Sequence, residues 1–130
     1  MTRKEAREQA FVLIFEKQFR DDSPDEILNY AKEIRGFEAD EYTELVFRGV
    51  NDRCAQLDEI ISANLKNWKL ERVSKVALAV LRLAVYEMKF IEDVPLSVSI
   101  NEAVELCKKF AAKDDASFVN GILGSIAKAE

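Results

Sequence analysis

The stretch Ser74–Phe90, SKVALAVLRLAVYEMKF, carries apolar side chains on nearly every side of a helix. Val76, Ala77, Leu78, Val80, Leu81, Leu83, Ala84 and Val85 surround it, and a helix that is hydrophobic all round belongs in an interior. Ser74 is placed to cap its start, and Glu92-Asp93-Val94-Pro95 breaks it, because proline lacks the N–H a helix needs. A buried central helix requires other helices around it, and the rest of the chain supplies them.

Upstream, Thr2-x-x-Glu5 is a capping-box pattern that opens a helix running to about Phe19, with Ala6, Ala10, Leu13 and Ile14 facing a core and the stem of Lys17 extending that row. Asp21-Asp22-Ser23-Pro24 ends it. Ser23 caps a second helix, with Pro24 at its first position and Glu26 completing another capping box, and Gly36 closes it. A third, long helix is expected from about Ala39 to Leu65, with Leu45, Val46, Val50, Leu57, Ile60 and Ile61 as its apolar stripe. Asn67-Trp68-Lys69 reads as a connector. Downstream of the central helix, a fifth covers about Leu96–Phe110 and a sixth starts at Asp114 or Asp115. Gly121 and Gly124, inside that last helix, suggest close helix packing. Six helices with short links predict an all-α fold in one domain, 1–130, with N-terminal helices over about 2–66 and C-terminal helices over about 71–129.

Composition agrees. The 130 residues suit one domain, 48% are apolar and 33% charged, and only four Gly and two Pro are present, too few for the turns of an all-β fold. There is no His, which excludes Ser-His-Asp and Cys-His catalysis and every His-containing zinc site. Cys54 and Cys107 can form neither a CxxC pair nor a four-cysteine site. Free thiols and a cytoplasmic setting are expected. No apolar run approaches the length of a membrane span, and MTRKEAREQA has no signal-peptide core. The carboxylate pairs Asp21-Asp22 and Asp114-Asp115 sit at expected helix starts, where they offset the positive helix end. No glycine-rich phosphate loop occurs. No enzyme, metal or cofactor site is expected. The lack of His also predicts no sharp pH switch near neutrality.

The net charge is −5, unevenly spread. Residues 1–20 hold five Lys/Arg against three Asp/Glu, residues 21–66 five against twelve, and residues 67–130 nine of each. The positive N-terminus contains Arg3, Lys4 and Arg7, with Arg3, Arg7 and Phe11 at i, i+4, i+8 and Phe15 on the adjacent row. Cations beside rings suit single-stranded RNA, which needs phosphate partners and stacking platforms. An ordinary solvated helix end explains the same pattern, and Glu5 and Glu8 dilute the charge, so the pattern alone favours the ordinary reading. Within the apolar helices, Arg82 is expected to pair with Glu102 or Glu87.

Six strings occur in order: Ala6-Arg7-Glu8-x-Ala10, Trp68-x-Leu70-x-Arg72, Leu81-Arg82-x-Ala84-x-Tyr86-Glu87, Asp93-Val94-Pro95, Ile100-Asn101-Glu102-Ala103 and Phe118-Val119-Asn120-Gly121-x-Leu123. In this the chain resembles the NusB family of bacterial transcription antitermination factors over nearly its whole length, with residues 20–56 matching in helical character alone. The resemblance implies two three-helix bundles packed together and a non-enzymatic role. It implies pairing with the ribosomal protein NusE on the boxA element of single-stranded nascent RNA, within the RNA polymerase antitermination complex, notably in ribosomal RNA operons. It places RNA contacts at Arg3, Lys4, Arg7, Phe15, Asp114 and Phe118, and assigns Asn120-Gly121 to helix packing. NusE is expected on the second half, with Tyr86 and Glu87 as candidates, where a basic ribosomal protein would meet an acidic chain. Two other readings share the resemblance: a homodimeric interaction module with little RNA affinity, and the detached N-terminal domain of an RNA methyltransferase.

Overall fold

The computed structural model describes residues 1–66 and 68–129; of the expected connector, Asn67 lies outside them. Among the described residues seven α-helices follow one another: α1 Arg3–Lys17, α2 Pro24–Ile34, α3 Glu41–Asp52, α4 Cys54–Ala63, α5 Lys75–Phe90, α6 Leu96–Phe110 and α7 Lys113–Lys128. A single 3₁₀ turn, Leu70–Arg72, precedes α5. No strand occurs among the described residues.

The caps lie where the side-chain chemistry puts them. Thr2 Oγ1 accepts from the Glu5 N–H at 3.1 Å while Glu5 Oε1 accepts from the Thr2 N–H at 2.9 Å. Ser23 and Glu26 repeat this pair at 3.2 and 3.0 Å. Asp40 caps α3 through the Tyr42 N–H and Ser74 caps α5 through the Ala77 N–H. Gly36, at φ +64°, turns the chain out of α2, and the N–H groups of Arg35 and Phe37 both donate to the Ala31 carbonyl.

The long third helix is two helices. At Arg53 the backbone leaves helical geometry, at φ −113° and ψ 18°. The guanidinium lies 4.2 Å from the Phe90 ring centroid, and the Asn51 amide donates to the Phe47 carbonyl, a local bond of the kind that competes with the helix ladder. The first half therefore holds four helices. Val46, Val50, Leu57 and Ile61 are buried as expected, but Leu45 is 54% exposed. The row is set by Val46 and Val50, and Leu45 stands 100° off it.

Helix α5 is the centre. Ala77–Leu81 and Leu83–Met88 are all buried, and α5 packs against α1, α3, α4, α6 and α7. One hydrophobic cluster joins both halves, from Leu13 and Ile27 through Phe47 and Leu81 to Leu123 and Ile126. The close approach lies at Gly49, where an added Cβ would fall on the Tyr86 ring. Gly121 and Gly124 do not serve helix packing: a Cβ at either would meet nothing within 4 Å.

Candidate nucleic-acid interface

Arg7 stands three residues before Ala10 and seven before Ile14, on the buried row of α1. It points inward and is 6% exposed. Its Nε donates to Glu87 Oε2 at 2.7 Å. Tyr42 Oη donates to the same oxygen in a short hydrogen bond, and Ser99 Oγ donates to Oε1 at 3.1 Å. Burial opposes the Arg7 charge, but the bond and charge of Glu87 raise its pKa on balance. Burial, then the Glu87 bond and charge, push the Tyr42 phenol well above its ordinary range.

This network overturns two expectations. Glu87 is 1% exposed and Tyr86 is 8% exposed, its ring against Gly49 and 5.4 Å from that of Phe90. Neither presents a surface to a partner, because a carboxylate inside an apolar helix survives only by taking internal donors. Arg7 likewise gives its Nε to Glu87 inside the fold, while its side chain forms part of the wall of the cleft between α1 and α6. Arg82 pairs with neither Glu87 nor Glu102: its Nε and Nη2 fork onto Asp58, both at 2.9 Å. Glu102 faces Lys4 instead, at 3.5 Å.

Arg3 and Lys4 are exposed, and the Arg3 guanidinium lies 3.8 Å from the Tyr42 ring centroid. Beside them runs α6, parallel to α1. Lys109 reaches Glu8 at 2.7 Å, and the rings of Phe110 and Phe11 lie 5.0 Å apart. A cleft of about 260 Å³ separates the two helices, lined by Lys4, Arg7 and Glu8 of α1 and by Glu102, Glu105, Lys108 and Lys109 of α6. The side chains of Lys4, Lys108 and Lys109 remain 64%, 62% and 60% exposed. Ion pairs that open hold their partners weakly, so an incoming phosphate can compete for the ammonium groups.

Rings continue the surface along α1. Phe11 is buried, Phe15 half-buried and Phe19 61% exposed, with centroids 6.0 and 5.1 Å apart. At the end of α1, Gln18 Nε2 donates to the Lys75 carbonyl, and Ser74 Oγ donates to Asp115. The end of α1 thus meets the start of α5, which in turn meets the start of α7. Asp114 is exposed in the first turn of α7, and Phe118, half-buried, lies on the next turn. Arg3, Lys4, Phe15, Asp114 and Phe118 therefore fall along the surface of α1 and the α7 start, while Arg7, Tyr86 and Glu87 fall inside.

Sequence reasoning missed Lys108, Lys109 and Phe110. The string Lys108-Lys109-Phe110 repeats the pattern of cations beside a ring, but basic residues at a helix C-terminus have an ordinary role against the helix dipole. Only the fold brings them to α1. Among the described residues no group of three or more Cys, Asp or Glu could hold a metal, and both cysteines are free. No helix of the described residues is long and apolar enough to cross a membrane.

Comparison with known proteins gives a consistent match. The model of the NusB family matches residues 4–128. Transcription antitermination protein NusB of Bacillus velezensis is 44% identical over 126 residues, spanning 97% of this chain and 95% of its own. The protein of the same name from Clostridium botulinum (strain Kyoto / Type A2) is 39% identical over 142 residues, at 97% and 99%. The crystal structure of antitermination factors NusB and NusE in complex with double-stranded RNA superposes with a TM-score of 0.88 at 28% identity, covering 98% of this chain and 97% of that one.

Proposed function

The chain belongs to the NusB family, and from this we propose that it acts as a transcription antitermination factor, holding boxA RNA of nascent transcripts jointly with ribosomal protein NusE so that RNA polymerase reads through terminators, notably in ribosomal RNA operons. The observation that carries this reading is the full-length likeness to a chain solved with NusE and RNA. The role is binding and not catalysis, and nascent RNA places it in the cytoplasm. The RNA path runs from Arg3 and Lys4, along Lys108 and Lys109, past Phe15 to Asp114 and Phe118. NusE docks through exposed side chains of the second half, not through Tyr86 and Glu87.

The surface explains why a partner is needed. Three lysines and three glutamates line the α1–α6 cleft, paired Lys4–Glu102 and Lys109–Glu8 across it and Lys108–Glu105 within α6, so the field there is close to neutral and long-range attraction of RNA is small. A basic partner supplies the missing cations, and each ligand then favours the assembly that binds the other. Fluorescence anisotropy tests this with a boxA-like single strand, a scrambled strand and the corresponding duplex, each with and without NusE at two salt concentrations. Selective binding that tightens with NusE is expected. Equal affinity for boxA-like and scrambled strands with NusE present would overturn the proposal.

A further inference from the structure

Trp68 is 55% exposed, although its neighbours Leu70 and Val73 fold back onto the core. It is the chain's single tryptophan. Its indole stands edge-to-face with Phe118, with centroids 6.2 Å apart and planes at 62°. The two rings wall a groove of about 410 Å³ that Arg72, Ser74, Asp114 and Asp115 complete. Leu65 on one side and Leu70 and Val73 on the other pack on the core, and Trp68 is not among the residues packed against it.

We infer that this groove receives one unstacked base of the bound RNA, with Trp68 as the stacking platform and Phe118 as the side wall. The inference deepens the proposed function and rests on it, because Phe118 makes the groove continuous with the proposed RNA path. Rings near 60° form a corner in which a flat base stacks on one while its edge meets the other. Charge sets the orientation. The carboxylates of Asp114 and Asp115 repel phosphate and accept from the N–H groups of a base, while the exposed Arg72 favours phosphate at the rim.

Trp68 emission reads the groove directly. The chain is titrated with the boxA-like single strand, alone and with NusE, while labelled RNA reports binding by anisotropy; a Trp68→Phe chain supplies the background emission. Trp68→Leu and an RNA series with one abasic nucleotide at each position complete the test. The expected result is quenching of Trp68 in step with RNA binding, about tenfold weaker binding by Trp68→Leu, and one abasic position that weakens the wild type but not Trp68→Leu. An unchanged thermal midpoint for Trp68→Leu will show that the fold is intact. RNA binding with unchanged emission and wild-type affinity in Trp68→Leu would overturn the stacking role and leave the antitermination reading standing. An emission change with NusE alone, which RNA does not add to, would assign the groove to a protein segment and overturn it too. No RNA binding by the wild type with NusE present would overturn both.

Discussion

A carboxylate with 1% of its surface exposed survives only if its oxygens are occupied, and Glu87 has three donors, from Arg7, Tyr42 and Ser99. Removing one member of such a buried pair leaves an unmatched charge, at a cost of about 3–5 kcal/mol. Arg7→Ala should therefore lower the free energy of urea unfolding by about 3 kcal/mol and leave the salt dependence of RNA binding unchanged. Arg3→Ala should do the reverse: stability within about 0.5 kcal/mol, and a salt slope smaller by about one phosphate contact. An Arg7→Ala protein of normal stability and reduced salt slope would place Arg7 on the RNA after all. The same network gives a pH dependence. The Tyr42 phenol is raised above its ordinary 10.0 in the folded chain, so the fold favours the protonated form. That stabilisation is fully present below about pH 10 and is lost as pH rises from there through the folded value. Urea unfolding of wild type and Tyr42→Phe from pH 8 to 11 should diverge only above about pH 10, with the wild type losing stability faster; parallel curves would show that Tyr42 does not carry the effect.

At the level of helices, space decides what a glycine does. Alanine is favoured over glycine by about 1 kcal/mol inside a helix. At Gly121 and Gly124 nothing stands within 4 Å of the new methyl group, so Gly121→Ala and Gly124→Ala should each stabilise the fold by about 0.5–1 kcal/mol. At Gly49 the methyl group falls on the Tyr86 ring, and moving a buried ring costs about 1–3 kcal/mol, which outweighs the propensity. Gly49→Ala should lower the thermal midpoint while the other two raise it. Equal effects at the three sites would show that propensity alone governs them. Sequence could not sort these glycines, because periodicity locates a helix but not the clearance on each side of it. Helix ends were more legible. Ser74 and Pro95 frame α5, and two capping boxes fix the starts of α1 and α2, because each uses chemistry local to a few residues. The break at Arg53 carries no proline or glycine, and the ring its side chain lies over, Phe90, is 37 positions away, so the unbroken row Val46, Val50, Leu57, Ile61 reads as one helix.

At the scale of the molecule, the candidate interface was half legible for the same reason. Arg3, Lys4 and Phe15 lie within one helix, whereas Lys109 meets Glu8 across 101 positions. The central position of α5 has a further consequence. Because α1 and α3 of the first half pack on the same helix as α6 and α7, neither half can bury its apolar faces alone. We propose that residues 1–130 unfold as one unit, with no separately stable half. Leu81, 0% exposed at the middle of α5, tests this because truncation there leaves a cavity costing about 2–5 kcal/mol. In a single cooperative unit that loss is felt everywhere at once. Leu81→Ala should lower the hydrogen-exchange protection of the most protected amides in α1, α3, α6 and α7 by the same free energy, and the calorimetric and van't Hoff enthalpies should remain equal. Loss of protection confined to α6 and α7, with α1 and α3 unchanged, would instead make the halves independent, with α5 folding onto only one of them.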